Sequence, residues 1–174
     1  MVNRVNGNTI PNKLHIGCGH AKRKGYLNLD SAEAVKPDVM WDLNEFPYPF
    51  EDNTFDEILA YSILEHLDDL VKVMEELHRI GRPGAVLDIT VPYWDSYGFA
   101  TDPTHKRMFT EDTFDFFTGK SDYGFITKAR FKIRRIERHY HPKFRWMPEF
   151  LKKRLKFLLK EVVVGLHVTL EVVK

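Results

Sequence analysis

Two glycines and two acidic residues stand where short apolar runs of the N-terminal half end. Gly17 and Gly19 flank Cys18 in the sequence GCG, and Asp30 and Asp42 each close a later run. Glycine lets a backbone turn sharply and approach a ligand closely. A carboxylate at position 30 suits hydrogen bonds to the two hydroxyls of a ribose and would repel a phosphate, and the Gly-Lys-Ser/Thr of a P-loop is absent. The pattern predicts a site for a nucleoside without a phosphate chain, with Asp42 accepting from an exocyclic amine such as that of adenine.

Taken singly, these residues also have purely structural explanations. A Gly-x-Gly is more often a tight turn than a ligand site, and an Asp that ends a strand is often a turn or cap residue. Their succession at three strand ends favours a ligand site, because ligands of open parallel sheets bind beyond the carboxyl ends of the strands.

The elements that position these residues are predicted from short apolar runs bounded by turn residues. Apolar residues at i, i+3 and i+4 predict a helix over 65–80 that ends at Gly81 and Pro83, and a strand on each side of it makes a parallel, right-handed βαβ unit. Further helices are predicted after Thr110 and over 148–160. Strands are predicted over 13–16, 26–29, 38–41, 55–61, 85–93, 131–140 and 165–173.

The predicted fold class is α/β: a three-layer open sheet, mostly parallel, with an antiparallel C-terminal strand. Only the nine residues 17–25 join the first two strands. A crossover between parallel strands usually takes a dozen residues or more. The first crossover helix is therefore expected to be reduced to a turn or loop.

Length and composition set the class of protein. With 174 residues and 43% hydrophobic residues, the chain is expected to form a single domain over 1–174. One cysteine excludes a disulfide framework, and no apolar run reaches the 18 residues of a membrane span. The first residues lack the apolar segment of a secretory signal, so a cytoplasmic location is expected.

Charge is distributed unevenly along the chain, although the net charge is only +1. Residues 1–127 hold 12 Lys and Arg against 21 Asp and Glu, whereas residues 128–160 hold 13 against two. The acidic and basic parts are expected to have different functions.

Three stretches resemble the class I S-adenosylmethionine-dependent methyltransferases of the small type 11 kind. They are LHIGCGHAKRKGYLNLD, DVMWDLNEFPYPFEDNTFDEILAYSILEHL and HRIGRPGAVLDITVPY, which together span about residues 13–93 in the family order. One branch of this family also has a short spacing between the glycine turn and the following acid. The resemblance implies a Rossmann-like methyltransferase fold, S-adenosyl-L-methionine as cofactor, and methyl transfer as the activity.

The resemblance also implies a role for each matching position. Gly17 and Gly19 would line the methionine and ribose side of the cofactor, with Cys18 as filling inside the turn. Asp30 would hold the ribose hydroxyls, and Asp42 with the backbone of Leu43 would bind adenine. Tyr61 and Ser62 would close the methionine end. One position departs from the family: His15 stands where many members carry an acid, which predicts weaker cofactor binding unless Glu65 or a backbone carbonyl substitutes.

Methyl transfer needs alignment above all, and it needs a base only when the acceptor carries a proton. The candidate catalytic residues are His105, Ser62 and His66. His105 lies in the polar loop DPTHKRMFTEDTF, where it is the candidate base or, alternatively, a loop histidine that bonds to the backbone. Other acceptor-side candidates are Glu65, Tyr93, Trp94 and Lys106.

No metal is expected from the sequence. Some RNA- and quinone-directed methyltransferases bind one through Glu-x-x-Glu-His, but Ser62 occupies the first of these positions here.

The C-terminal part leaves several functions open. Residues 94–164 are expected to supply acceptor-side loops and a basic segment. The basic and aromatic residues of 128–160 suit contact with a polyanion, an anionic membrane surface, or the acidic part of another copy in a homodimer. The apolar stripe of 148–160 is instead expected to pack on the sheet.

The favoured function is methyl transfer to a small-molecule or carbohydrate-like acceptor. The alternative is a non-enzymatic module that uses the same fold to present its basic segment to nucleic acid or a protein partner.

Overall fold

The computed structural model describes residues 4–5, 8–9, 11–122 and 124–174. Seven strands form one sheet in the order β3-β2-β1-β4-β5-β7-β6. β1 to β5 pair in parallel, and β7 runs antiparallel between β5 and β6. This confirms the predicted α/β sheet with its antiparallel C-terminal strand. The strands are β1 Lys13–Ile16, β2 Leu27–Asp30, β3 Val39–Met40, β4 Phe55–Tyr61, β5 Gly81–Pro92, β6 Arg130–Tyr140 and β7 Val163–Val173.

The short connection between β1 and β2 contains no α-helix, as expected from its length. All of residues 17–54 are described, and their only helical element is the 3-10 turn Glu33–Val35. Arg4–Val5 and Asn8–Thr9 form a separate two-stranded ribbon.

The helix between β4 and β5, α1, covers Leu70–Ile80 and begins five residues later than predicted. The side chain of Asp69 accepts a hydrogen bond from the backbone N–H of Lys72 and so caps the helix at that point. Leu67 is extended, which separates the 3-10 turn Leu64–His66 from α1. The predicted start at Glu65 is therefore wrong, and Glu65 and His66 lie in a loop at the carboxyl end of β4.

A helix begins directly after Thr110, as predicted; it is the 3-10 helix Glu111–Thr118. A short helix α2 at Tyr97–Thr101 was not predicted. The last helix, α3, covers only Glu149–Leu155. The expected apolar stripe packs only in part: Leu158 and Leu159 are exposed, Leu151 and Leu155 are half-buried, and Val162 is buried.

Glu111 ties the start of its 3-10 helix to the sheet and to the segment after α3. Its carboxylate pairs with Arg138 of β6 and with Lys156 just beyond α3, and it accepts a hydrogen bond from the hydroxyl of Tyr93 after β5. Burial alone would raise the pKa of Glu111, but hydrogen bonds from its own backbone N–H, Lys156 and Arg138 hold it at about 2.

The core lies on the face of the sheet that α1 covers. Val73, Met74, Leu77 and Ile80 of α1 are buried, and they belong to the same cluster as the apolar residues of β1, β4, β5 and β7. This packing holds the carboxyl ends of the parallel strands in place. The loops of the candidate site begin at these strand ends.

Candidate active site

Four of the eight predicted cofactor residues, Gly17, Asp30, Asp42 and Leu43, line one cavity at the carboxyl ends of β1 to β4. Cys18, Gly19, Tyr61 and Ser62 are not among its lining residues. Asp30 and Asp42 both border it, and so does Gly17, as the nucleoside interpretation requires. The cavity has a volume of about 160 Å³ and is lined by Gly17, Asp30, Ser31, Trp41, Asp42, Leu43, Asn44, Ile63, His66 and Leu67.

The glycine turn has the backbone that its sequence predicts. Gly17 and Gly19 have φ of +58° and +47°, in the left-handed region that favours glycine. A Cβ on Gly17 would lie 2.4 Å from Cγ1 of Ile63, whereas a Cβ on Gly19 would meet nothing within 4 Å. The bare backbone at position 17 is thus required by the side chain that forms the opposite wall of the cavity.

The carboxylate of Asp30 is fixed by the backbone around it. Oδ2 accepts from the N–H of Gly19 at 2.8 Å, and Oδ1 accepts from the N–H of Ala32 at 2.9 Å. A carboxylate oxygen has two acceptor positions. Each oxygen therefore keeps one for a ligand hydroxyl.

Asp42 is held in the same way by the residue two positions on. Its Oδ1 accepts from the N–H of Asn44 at 2.9 Å. Two fixed carboxylates and a backbone cradle fit the hydroxyls and the amine of an adenosine, so the donor set agrees with the cofactor that the resemblance implies.

Cys18 and Tyr61 lie outside the lining of this cavity. Cys18 is buried within the turn, where burial raises the pKa of its thiol. The Tyr61 hydroxyl donates to Asp88 on β5, and its ring packs edge-on against His15. Burial first and the Asp88 contact second raise the pKa of Tyr61. Cofactor contacts from these two residues stay predictions.

The residue before the glycine turn, His15, is buried with no hydrogen-bond partner for Nδ1 among the described residues. Burial lowers its pKa. Glu65, suggested as a substitute for the missing acid, borders a different cavity.

A second cavity of about 470 Å³ lies beside the first, and His66 lines both. It contains the three predicted catalytic residues, Ser62, His66 and His105. Its other lining residues are Glu65, Thr90, Val91, Pro92, Gly98, Asp102, His139, Val164, Gly165 and Leu166.

Ser62 stands at the turn that leaves β4 for this second cavity. It has φ of +50°, unusual for a residue with a side chain, and its N–H donates to the carbonyl of Thr90. Sparsely populated backbone conformations of this kind cluster at functional sites.

Hydrogen bonds fix the ring orientation of both histidines. Nδ1 of His105 lies 2.9 Å from the carbonyl oxygen of Phe99, which can only accept, so Nδ1 carries the proton. The hydroxyl of Thr104 donates to Asp102 at 2.6 Å, so its oxygen accepts from Nδ1 of His66 at 2.9 Å. In the neutral rings the free lone pair is then on Nε2 in both cases.

Glu65, which the sequence analysis named only as an acceptor-side candidate and as a substitute for the missing acid, is buried in this site. Its side chain is 1% exposed and Oε1 lies 4.0 Å from Nε2 of His105. Burial raises its pKa. Its backbone carbonyl accepts from the N–H groups of Lys106 and Arg107, which joins the two loops. Asp102 and Thr104 were missed, although they lie close to His105 in the same loop sequence.

A third cavity, of about 630 Å³, is larger but lies between the start of α1 and the segment 112–122. It borders none of the residues predicted for cofactor or catalysis.

Comparisons with known proteins agree with the fold. Residues 14–89 match the methyltransferase domain family. No curated protein matches the sequence. None of the described helices has both the length and the apolar character to cross a bilayer.

Solved structures of methyltransferases share the fold at low identity. A SAM dependent methyltransferase from Archaeoglobus fulgidus is 19% identical over 91% of this chain and 85% of its own, with a TM-score of 0.66. One from Mesorhizobium loti is 13% identical over 91% and 89%, with a TM-score of 0.61. Phosphoethanolamine N-methyltransferase 2 of Haemonchus contortus, in complex with S-adenosyl-L-methionine, is 16% identical over 99% of this chain and 51% of its own, with a TM-score of 0.58. Residues 14–89 therefore match a methyltransferase domain, and the chain has the fold of S-adenosylmethionine-dependent methyltransferases.

Proposed function

We propose that the 470 Å³ cavity binds the methyl acceptor and that the acceptor is a polar small molecule, carbohydrate-like in its hydroxyls. The observation that carries this proposal is that His66 lines both cavities. An acceptor in the second cavity therefore lies next to a cofactor in the first. The lining supports a polar ligand, because carboxylate, imidazole and hydroxyl groups alternate with the backbone of β5 and β7.

Gly17, Asp30, Asp42 and Leu43 would hold S-adenosylmethionine in the first cavity. When bound, the cofactor would supply a methyl carbon on a sulfonium sulfur, to which an acceptor oxygen could bond as the electron pair of the broken carbon–sulfur bond stays on sulfur. Holding the two reactants in line is the main contribution of the protein to such a step.

His105 and His66 would act on the acceptor. Each offers a lone pair on Nε2, because Nδ1 is occupied by Phe99 in one case and by Thr104 in the other. One of them accepts a hydrogen bond from the acceptor hydroxyl and takes its proton as the oxygen is methylated. The hydroxyl of Ser62 orients the acceptor at the strand end.

The segment 94–164 would supply the acceptor side of a single domain over 1–174. Its residues Gly98, Asp102, His105, His139 and Val164 already line the second cavity. A polyanion contact through 128–160, a homodimer and a cytoplasmic location stay predictions.

The test measures cofactor binding and methyl transfer separately. Calorimetry with S-adenosylmethionine should show binding, and a panel of sugars and nucleotide sugars should reveal an acceptor by release of S-adenosylhomocysteine. With that acceptor, His105→Gln should keep cofactor affinity and lose most of the rate, about 10²–10⁴-fold. The control Lys132→Gln changes an exposed residue of β6 that lines neither cavity, so it should change neither quantity. Failure to bind S-adenosylmethionine at millimolar concentration would refute the cofactor site.

A further inference from the structure

Three side chains from two loops converge at the boundary between the two cavities. Glu65, His66 and His105 each offer one ligand atom, and these atoms all lie within 4.8 Å of one another. We propose that they bind a divalent transition-metal ion. The sequence reasoning expected no metal, because Ser62 replaces a Glu, but it did not use His105 as a ligand.

Hydrogen bonds at Nδ1 fix the orientation of the two imidazole rings, as is usual for metal-binding histidines. A metal-binding histidine usually donates its second ring N–H to a carbonyl, a carboxylate or another polar group, which fixes the ring and its tautomer. His105 donates to the Phe99 carbonyl, and His66 donates to Thr104, which in turn donates to Asp102. Both rings therefore keep Nε2 free as a neutral ligand atom.

The buried carboxylate of Glu65 independently supports a cation at this site. Its side chain is 1% exposed, and Oε2 is buried without a hydrogen-bond partner among the described residues. An unpaired buried carboxylate oxygen is costly. A cation held together with the two Nε2 atoms would satisfy it.

The backbone already holds the three donors in place. The carbonyl of Glu65 accepts from the N–H of Lys106 at 2.7 Å and of Arg107 at 3.2 Å, which fixes the loop of His105 against that of Glu65. The nearby amine of Lys106 is paired with Asp68 at 2.6 Å. Oδ2 of Asp102 lies 3.8 Å from Nε2 of His105, so the second carboxylate near the cluster adds negative charge.

The donor set selects the class of ion. Two imidazoles and one carboxylate suit Zn²⁺, Fe²⁺, Mn²⁺ or Co²⁺, whereas Mg²⁺ and Ca²⁺ prefer oxygen ligands alone. Donors around such an ion lie roughly 3.0–3.4 Å apart, given bond lengths of about 2.1 Å. The present spacing therefore needs only small side-chain movements to close on an ion.

Three protein ligands leave coordination positions open for the acceptor in the 470 Å³ cavity. This role rests on the proposed function: an acceptor hydroxyl bound to the ion would lose its proton to water more easily, and the histidines would then act as ligands and not as bases. The metal site itself does not depend on that role.

The test uses the full chain without a histidine tag, freed of metal by a chelator and titrated with Co²⁺. We expect binding of one ion per chain, visible absorption bands typical of nitrogen ligands, and displacement by Zn²⁺. His66→Ala and His105→Ala should each weaken Co²⁺ binding by at least about tenfold. The matched control is His139→Ala, which removes a histidine of the same cavity that does not belong to the cluster; it should bind Co²⁺ as the parent does.

Two further measurements on His105→Ala distinguish a lost metal ligand from a misfolded protein. His105→Ala should retain the circular dichroism spectrum and the S-adenosylmethionine affinity of the parent, because His105 does not border the first cavity. If the parent gives neither heat nor absorption bands with Co²⁺, or if both variants bind as tightly as the parent, the metal site is refuted. Loss of S-adenosylmethionine binding in the parent would instead refute the proposed function and leave the metal result standing.

Discussion

The contact between Gly17 and Ile63 gives the sharpest prediction for the cofactor site. A Cβ at position 17 would lie 2.4 Å from Cγ1, 2.6 Å from Cδ1 and 2.7 Å from Cβ of Ile63. The Cβ of Ile63 cannot move away by a side-chain rotation, so the backbone of one strand end must shift. Gly17→Ala should therefore disturb the fold and the cavity together.

Gly19→Ala is the matched control, because it has the same backbone strain without the collision. A left-handed conformation costs an alanine roughly 1–2 kcal/mol, and a Cβ on Gly19 meets nothing within 4 Å. Overpacking a filled region adds about 1–3 kcal/mol. We expect Gly19→Ala to lower the free energy of unfolding by about 1–2 kcal/mol and Gly17→Ala by about 2–5 kcal/mol.

Urea unfolding of the two variants and the parent measures these differences, with the slope against urea checked for constancy. Calorimetry measures the affinity for S-adenosylmethionine, which Gly17→Ala should weaken more than Gly19→Ala does. Equal destabilisation by the two substitutions would show that Ile63 does not pack against the turn. The account of the cavity wall would then be wrong.

Three further predictions concern the carboxylates. Asp30→Asn should weaken S-adenosylmethionine binding by about 1–3 kcal/mol, as measured by calorimetry, since one carboxylate oxygen that would accept from a ribose hydroxyl is lost. In the folded protein the pKa of Glu111 is about 2, below the value of about 4.3 in an unfolded chain. The ionised carboxylate therefore stabilises the fold above about pH 4.3, and this stabilisation is lost as the pH falls towards 2. In acid unfolding over this pH range, the parent should lose up to about 3 kcal/mol more stability than Glu111→Gln. Asp69→Ala removes the cap of α1 and should lower the free energy of unfolding by about 1 kcal/mol, and an unchanged value would mean that the observed cap contributes nothing.

The sheet was predictable because its strands are short, apolar and bounded by turn residues. β1 and β4 have the predicted ends, and the reduced first crossover follows from the nine residues between β1 and β2. The meeting of Asp30 and Asp42 at one cavity was predictable for a related reason. Asp30 and Asp42 end neighbouring parallel strands, and such ends meet at one edge of a sheet.

Helix bounds and the acceptor side were harder to predict because they depend on contacts distant in sequence. The apolar spacing of 65–80 continues through Leu67, but the cap by Asp69 starts the helix later. The tie of Glu111 to Arg138 and Lys156 joins residues 27 and 45 positions apart. Such pairs leave no local pattern.

The late start of α1 explains why the two cavities meet. Had the helix begun at Glu65, its first turn would have carried Glu65 and His66 on the helix surface with their backbone groups committed to the helix. Because residues 64–66 form a separate 3-10 turn, the carbonyl of Glu65 is free to accept from the 106–107 backbone, and His66 borders both cavities. The cap at Asp69 therefore does more than end a helix: it leaves the residues before it available to join the cofactor side of the sheet to the loop of His105.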